Sequence, residues 1–282
     1  MRKSFLVFLL LLIKLTHAQV LDPAKEWFQL ENFFDQESIE KNRISAIHIE
    51  ALNKKDGEKI GSESQFLHYN FNEDFLLKDC FKSIPLKGGE DTARVYFEYN
   101  KEHLLVKKSE INGPFHFSYL FNYKEEVISK EVKIDEQSSN HDTIYKRFFQ
   151  CEKTDSSLII KSLNDNGKAY KTTEIIYNSF GKIKKERVNF SRGQNYIEKR
   201  FTYENGKLVQ SEKTSYFHKL EKHKKVFSYS QGKFDYVYHY QNDQLIKKLA
   251  FTYNESGLIS AVIERNYEEK SIRIFRFLYE VL

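Results

Sequence analysis

Chemistry needs titratable or nucleophilic groups that can be brought together, and this 282-residue chain offers few. Nine histidines are present, and none sits in a metal-binding spacing such as His-Glu-x-x-His. His218 and His223 flank a lysine-rich stretch whose positive charge opposes a cation, so they read as part of a solvated strand connection. Asn140-His141-Asp142 gathers polar groups in a loop, but a catalytic reading there rests on three adjacent residues. Glu125-Glu126 and Glu268-Glu269 are sequence neighbours, which on a strand face opposite ways and make poor acid–base pairs. No Gly-x-Ser-x-Gly elbow and no phosphate-binding glycine loop occurs. The expectation is a non-enzymatic protein with no catalytic residues, no cofactor and no metal.

Charge is more informative. Residues 182–233 hold 14 Lys or Arg against 5 acids. Lys182, Lys184, Lys185, Arg187, Arg192, Lys199, Arg200, Lys222, Lys224 and Lys225 form the centre of this stretch. Such a cluster fits an anionic glycan, a lipid headgroup or an acidic envelope protein as partner. The plainer alternative is a wet sheet face whose lysines discourage edge-to-edge pairing. Aromatics suggest a second candidate surface. Alternation places Phe234, Tyr236, Tyr238 and Tyr240 on one strand face, with Lys233, Asp235, Val237 and His239 on the other. The rings could stack on a sugar, or simply pack against neighbouring strands.

The elements that must carry these groups are strands. From about Arg43 onward, β runs of 6–11 residues alternate with polar turns, as in a meander. Turns are expected at Asn53–Gly57, Asn164–Gly167, Ser179–Gly181, Asn205-Gly206, Gln231-Gly232 and Asn254–Gly257, with Gly88-Gly89 and Gly113-Pro114 as further turn signals. The unit repeats. Tyr177, Tyr203, Tyr229, Tyr253 and Tyr279 lie 26, 26, 24 and 26 residues apart, with Phe190, Tyr216, Tyr240 and Tyr267 near the midpoints. Each repeat is therefore a two-stranded hairpin: aromatic–x–Tyr, a short polar turn, then an apolar restart. The aromatic–x–Tyr pair sets two rings on one strand face, where copies on adjacent strands can stack.

Phe251-Thr252-Tyr253-Asn254-Glu255-Ser256-Gly257-Leu258-Ile259 resembles the YD repeats of RHS-type bacterial cell-surface proteins. Tyr203-Glu204-Asn205-Gly206-Lys207-Leu208 is similar to a unit of the MORN-variant hairpin repeats. The likeness covers residues 170–282 well and 43–170 weakly, with Tyr-Asn or Tyr-Glu in place of Tyr-Asp. Both families imply exported β-hairpin arrays with surface or interaction roles, and neither brings a catalytic residue.

The start of the chain points to export. Met1-Arg2-Lys3 is a positive n-region, Ser4 to Leu15 is mostly apolar, and cleavage after Ala18 would leave Gln19 first. The apolar run is shorter than the roughly 20 residues of a membrane helix. No later segment is long and apolar enough to span a bilayer as a helix. The expected location is the periplasm, the cell surface or the outside. With residues 1–18 removed, 42 basic residues face 40 acidic ones, which gives no general case for nucleic acid as partner. Cys80 and Cys151 could close into a disulfide in an oxidising compartment or stand as two buried thiols.

The organisation expected is a signal peptide at 1–18, a helical segment at 19–42 and a hairpin-repeat domain at 43–282. Asp22-Pro23 reads as a helix start, and Trp27, Leu30 and Phe33 or Phe34 make an apolar stripe over residues 23–41 suited to plugging the sheet. The fold class is all-β, an antiparallel meander whose sheet is open, curled or barrel-like. The alternative to surface binding is a carrier that encloses a hydrophobic ligand inside a curved sheet.

Overall fold

The computed structural model describes residues 19–27, 33–59, 61–86 and 89–282. The expected signal peptide lies outside these residues, as do Leu30 and Gly88. The first eight strands are β1 (Ile44–Lys55), β2 (Gly61–Phe71), β3 (Leu77–Leu86), β4 (Gly89–Tyr99), β5 (Leu105–Asn112), β6 (Phe115–Lys124), β7 (Val127–Asp135) and β8 (Thr143–Lys153). Next come β9 (Ser157–Leu163), β10 (Ala169–Tyr177), β11 (Ile183–Phe190), β12 (Tyr196–Glu204) and β13 (Lys207–Tyr216). The last five are β14 (Leu220–Ser230), β15 (Lys233–Gln241), β16 (Gln244–Tyr253), β17 (Ile259–Asn266) and β18 (Ser271–Val281). Each strand pairs antiparallel with the next, and β1 also pairs with β18. The meander is therefore a closed 18-stranded barrel, with no free edge to guard against aggregation.

Two kinds of turn build the hairpins. Glu125-Glu126, Asn205-Gly206, Gln231-Gly232 and Asn242-Asp243 are two-residue turns with both φ angles positive, the geometry that matches strand twist. Glu125-Glu126 is thus a turn and not a strand pair. The second kind is a five-residue loop opened by asparagine. The Asn164 and Asn178 side chains each accept N–H bonds from the residues two and four positions on. Asn72 and Asn100 do the same. Three residues after the asparagine the backbone is left-handed: Gly167, Gly181 and Gly257 supply it in three copies, Phe75 (58°) and His103 (60°) in two. Five of the six expected turns fall between strands; in the sixth, Asn53–Gly57, β1 runs on through Lys55 and the chain turns only from Asp56.

The N-terminal segment packs inside this wall. Val20, Leu21, Phe33, Phe34 and Ile39 share one apolar cluster with side chains from β1 to β4 and from β12 to β18. A short segment can reach both groups only from the inner side of a closed wall. Phe33 and Phe34 set their rings edge-on to Tyr69, and Trp27 does so to Phe234 and Phe251. Among the described residues helix is limited to α1 (Gln36–Lys41), which corrects the expected helix over 23–41. Trp27, Phe33 and Phe34 of the stripe do pack on the core, but Leu21 and Phe34 form a strand-like bridge, backed by Asp22 N–H to Phe33 O and Asp35 N–H to Val20 O. Asp22 does initiate a turn, its carboxylate accepting the Ala24 N–H at 2.9 Å.

The repeated tyrosines line this floor. Tyr203, Tyr229, Tyr253 and Tyr279 donate their hydroxyls to the carbonyls of Ile183, Leu208, Phe234 and Ile259, at 2.8–3.0 Å. Tyr99 and Tyr123 bond likewise to Leu77 and Leu105. Each hydroxyl therefore ties one hairpin's end to the start of its partner strand. Each such bond contributes about 1 kcal/mol net, and burial pushes the tyrosine pKa values up.

One further expectation is corrected, and of the two alternatives for the cysteines the structure has separate thiols. Asp235 is a β-bulge: Tyr229 pairs with Phe234 while Ser228 pairs with Tyr236. The extra residue flips the phase, so Phe234 is buried in the floor and Tyr236, Tyr238 and Tyr240 face outward. The two thiols are not bonded to each other. Cys80 lies on β3 and Cys151 on β8, five strands apart around the wall.

Candidate binding site in the barrel lumen

Along the inner face, apolar floor gives way to charge. From the floor upward β14 presents Tyr229, Phe227, Lys225 and His223, and β12 presents Tyr203, Phe201 and Lys199. β13 adds Leu208, Ser211 and Lys213; β15 adds Phe234, Val237 and His239; β16 adds Tyr253, Phe251, Leu249 and Lys247. The cause is the strand period. Once aromatic–x–Tyr is fixed inward, the residue two positions before the aromatic must face inward too. In two of these copies that residue is lysine.

Lys199, Lys213, His223, Lys225, His239 and Lys247 thus occupy adjacent inner positions on five neighbouring strands. Lys199 stands directly opposite Lys213, Lys213 opposite His223, Lys225 opposite His239, and His239 opposite Lys247. Like charges placed directly across a ladder are destabilising. Three carboxylates compensate in part. Glu186 lies 3.4 Å from Lys199, Glu264 lies 3.4 Å from Lys247, and Glu26 of the plug lies 3.5 Å from Lys225. Among the described residues no acid pairs with Lys213. Burial pushes the Lys225 pKa down, against the pull of Glu26. Burial, with Lys225, Lys247 and His223 nearby, pushes His239 down to about 3. Its ring is neutral, and Nε2 is buried without a hydrogen-bond partner.

These groups surround a cavity of about 700 Å³. Its floor is Trp27, Phe33, Phe201 and Leu249, and its sides carry lysines, His223, His239 and the carboxylates of Glu26, Glu186 and Glu264. It can take a polar, anion-bearing ligand with an apolar portion against the floor.

The basic residues of the 182–233 stretch divide between surfaces. Lys199, Lys213 and Lys225 face the cavity. Lys185, Arg187 and Arg200 face outward around Glu198, at 3.4, 3.3 and 2.7 Å. Glu198 is only 8 % exposed, and although burial raises its pKa, Arg200 and Lys185 outweigh that and leave it lowered. Lys222 and Lys224 are also outward, with the Lys224 ammonium 4.9 Å from the Tyr240 ring centre. Lys182 donates to the Gly206 carbonyl, Lys184 is exposed beside the bulge at the start of β11, and Arg192 lies in the turn after β11. Of the aromatic set, Tyr236 and Tyr238 carry Lys248 at 3.8 and 5.6 Å from their ring centres.

Sequence reasoning missed Lys213, Lys247, His239 and the partner acids. The signal available was phase: Lys199-x-Phe201-x-Tyr203 and Lys225-x-Phe227-x-Tyr229 mark both lysines as sharing the tyrosines' face. Glu26 could not be found that way, because it comes from a segment that folds back into the barrel.

Fold and cavity together define an all-β protein: a closed antiparallel meander barrel, plugged at one end, with a charged cavity above the plug. No protein-family model matches the chain, and no curated protein matches it. Among solved structures it is similar to a porin-like protein from Bacteroides uniformis ATCC 8492, at 11% identity and TM-score 0.43, over 85% of this chain and 97% of that one. A porin-like protein from Bacteroides vulgatus ATCC 8482 gives 7% identity and TM-score 0.37, over 85% and 99%. The TcdB2-TccC3-Cdc42 structure gives 9% identity and TM-score 0.33, over 70% of this chain and 12% of that one. These likenesses are too distant to transfer a function.

Proposed function

We propose that this is an exported, non-enzymatic binding protein that holds an anionic ligand in the lumen of a barrel that does not cross a membrane. The observation that carries this reading is the ring of lysines and histidines above the aromatic floor. It has more cations than partners and a cavity large enough for a small ligand. An anion would relieve the opposition of Lys199 and Lys213 and accept from the unpaired groups. An anionic saccharide suits both parts, its carboxylate meeting the lysines and its ring face the aromatics. A wholly apolar cargo fits less well, because charge begins immediately above the floor.

The outer wall supports the non-spanning part. A transmembrane barrel needs an apolar outer band about 25 Å tall. Here Glu50, Arg94, Glu174, Arg187, Glu198, Glu212, Lys248 and Arg276 put charge on the outer face of many strands. The export part rests on the Met1–Ala18 pattern.

The test uses the chain from Gln19 onward, prepared without detergent. Calorimetric titration with oligogalacturonate, against neutral maltooligosaccharide as control, should show binding that weakens steeply with salt. Lys213→Gln with Lys225→Gln should remove it and leave the far-UV spectrum unchanged. Absence of salt-sensitive binding to oligogalacturonate and to inositol phosphates alike would overturn the ligand reading. Ion conductance in planar bilayers would overturn the non-spanning one.

A further inference from the structure

We propose that His48 and His68 form a binding site for a divalent transition-metal ion on the outer wall. The two residues are direct cross-strand partners on β1 and β2, and both face outward, away from the lumen. Their Nδ1 atoms lie 3.5 Å apart. Two imidazole nitrogens bound to one ion at 2.0–2.1 Å with a tetrahedral angle stand about 3.4 Å apart. The spacing in the protein already has that value.

The surroundings fix the rings in the manner of metal ligands. His68 Nε2 lies 2.8 Å from Asn70 Oδ1, and the Asn70 amide donates to Asp79 at 2.7 Å. The second bond sets the amide's orientation, so its oxygen accepts from His68 Nε2–H. In the neutral ring this hydrogen bond leaves the lone pair on His68 Nδ1, the tautomer a metal binds. His68 also stacks on Phe81, with ring centres 4.9 Å apart, and His48 on Phe66 at 5.8 Å.

Among the described residues no third His, Cys, Asp or Glu joins the pair. Water completes the coordination, and two imidazoles select Zn²⁺, Ni²⁺ or Cu²⁺ over Ca²⁺ and Mg²⁺. The site bridges β1 to β2, while β1 on its other side makes the closing contact with β18. A bound ion would staple the strand that completes the barrel.

The experiment uses the untagged chain from Gln19 onward, stripped with EDTA, titrated with Ni²⁺ and with Zn²⁺ by calorimetry. Melting is followed in parallel. One saturable site and a metal-dependent rise in Tm are expected, with no response to Mg²⁺. His48→Gln and His68→Gln should each abolish both, and Asn70→Ala should weaken affinity 10–100-fold. His141→Gln, in the loop after β7, should bind as the parent does. The proposal is overturned if the parent binds neither ion, or if His48→Gln or His68→Gln binds with the parent's stoichiometry and affinity. Circular dichroism of each variant without metal separates lost ligation from lost folding.

Discussion

His239 should make this protein acid-sensitive, and the size of the effect can be worked out. Its pKa is pushed from 6.5 to about 3 in the folded chain. Between those values the unfolded chain binds a proton that the folded chain refuses. Stability therefore rises with pH through this window, is fully present above about pH 6.5 and is lost as pH falls toward 3. At pH 5 the unfolded imidazole is about 97 % protonated, so the loss is about 2 kcal/mol. For a chain of this size that corresponds to a Tm drop of roughly 4–8 °C between pH 7.5 and 5. His239→Phe keeps a ring in the site and removes the titration. The assay is differential scanning calorimetry of both proteins at pH 7.5, 6 and 5 in fixed salt. The variant should lose about 2 kcal/mol less than the parent over this range. Parallel pH profiles would refute the claim that a neutral imidazole is buried among cations.

Tyr253→Phe removes the bond to the Phe234 carbonyl and should lower stability by about 1 kcal/mol, seen as a Tm drop of roughly 2–4 °C. An unchanged Tm would mean the tyrosine hydroxyls do not help hold the floor. His103→Gly should stabilise by about 0.5–1 kcal/mol, because His103 sits at φ 60°, whereas Gly181→Ala at φ 73° should cost about 1 kcal/mol; urea midpoints moving the other way would contradict the left-handed turn assignment. Under native conditions a thiol reagent should label Cys151 and spare Cys80, which is 1 % exposed, and unfolding should release the second thiol. Labelling of neither thiol in the unfolded, unreduced protein would indicate a bond between them.

Local features were legible in the sequence because their causes are local. Asn205-Gly206 and Gln231-Gly232 specify two-residue turns through backbone preference alone, and aromatic–x–Tyr fixes a strand face through its period of two. Asp235 defeated the same reasoning. A bulge inserts one residue without a change in composition, so four rings read as one face divide between the floor and the outer wall. The N-terminal segment failed for a different reason. Its apolar spacing suits a helix, yet Phe33 and Phe34 lie edge-on to Tyr69 and Leu21 bridges Phe34, contacts with distant parts of the chain that local spacing does not encode. Closure was beyond reach, since the β1–β18 register joins residues far apart in the chain and neither strand carries a mark of the other. The lumenal site depends on that closure for Glu26 and on strand phase for its lysines, which is why Lys199, Lys213 and Lys225 belong to the basic stretch and to the cavity while Lys185, Arg187 and Arg200 of the same stretch face outward.

The β1–β18 contact also orders events in time. β18 leaves the ribosome after every other strand of the wall, and until it does β1 has a partner on one side only. Seventeen strands of meander must wait, incompletely buried, for the chain to supply the last. A loop of more than two hundred residues then has to be closed, a search whose entropy grows slowly with length but whose rate is low for such non-local pairing. During that interval the unclosed sheet presents two open margins to other chains in the cell. Holding chaperones, or transfer to another compartment before folding, would protect it during that time.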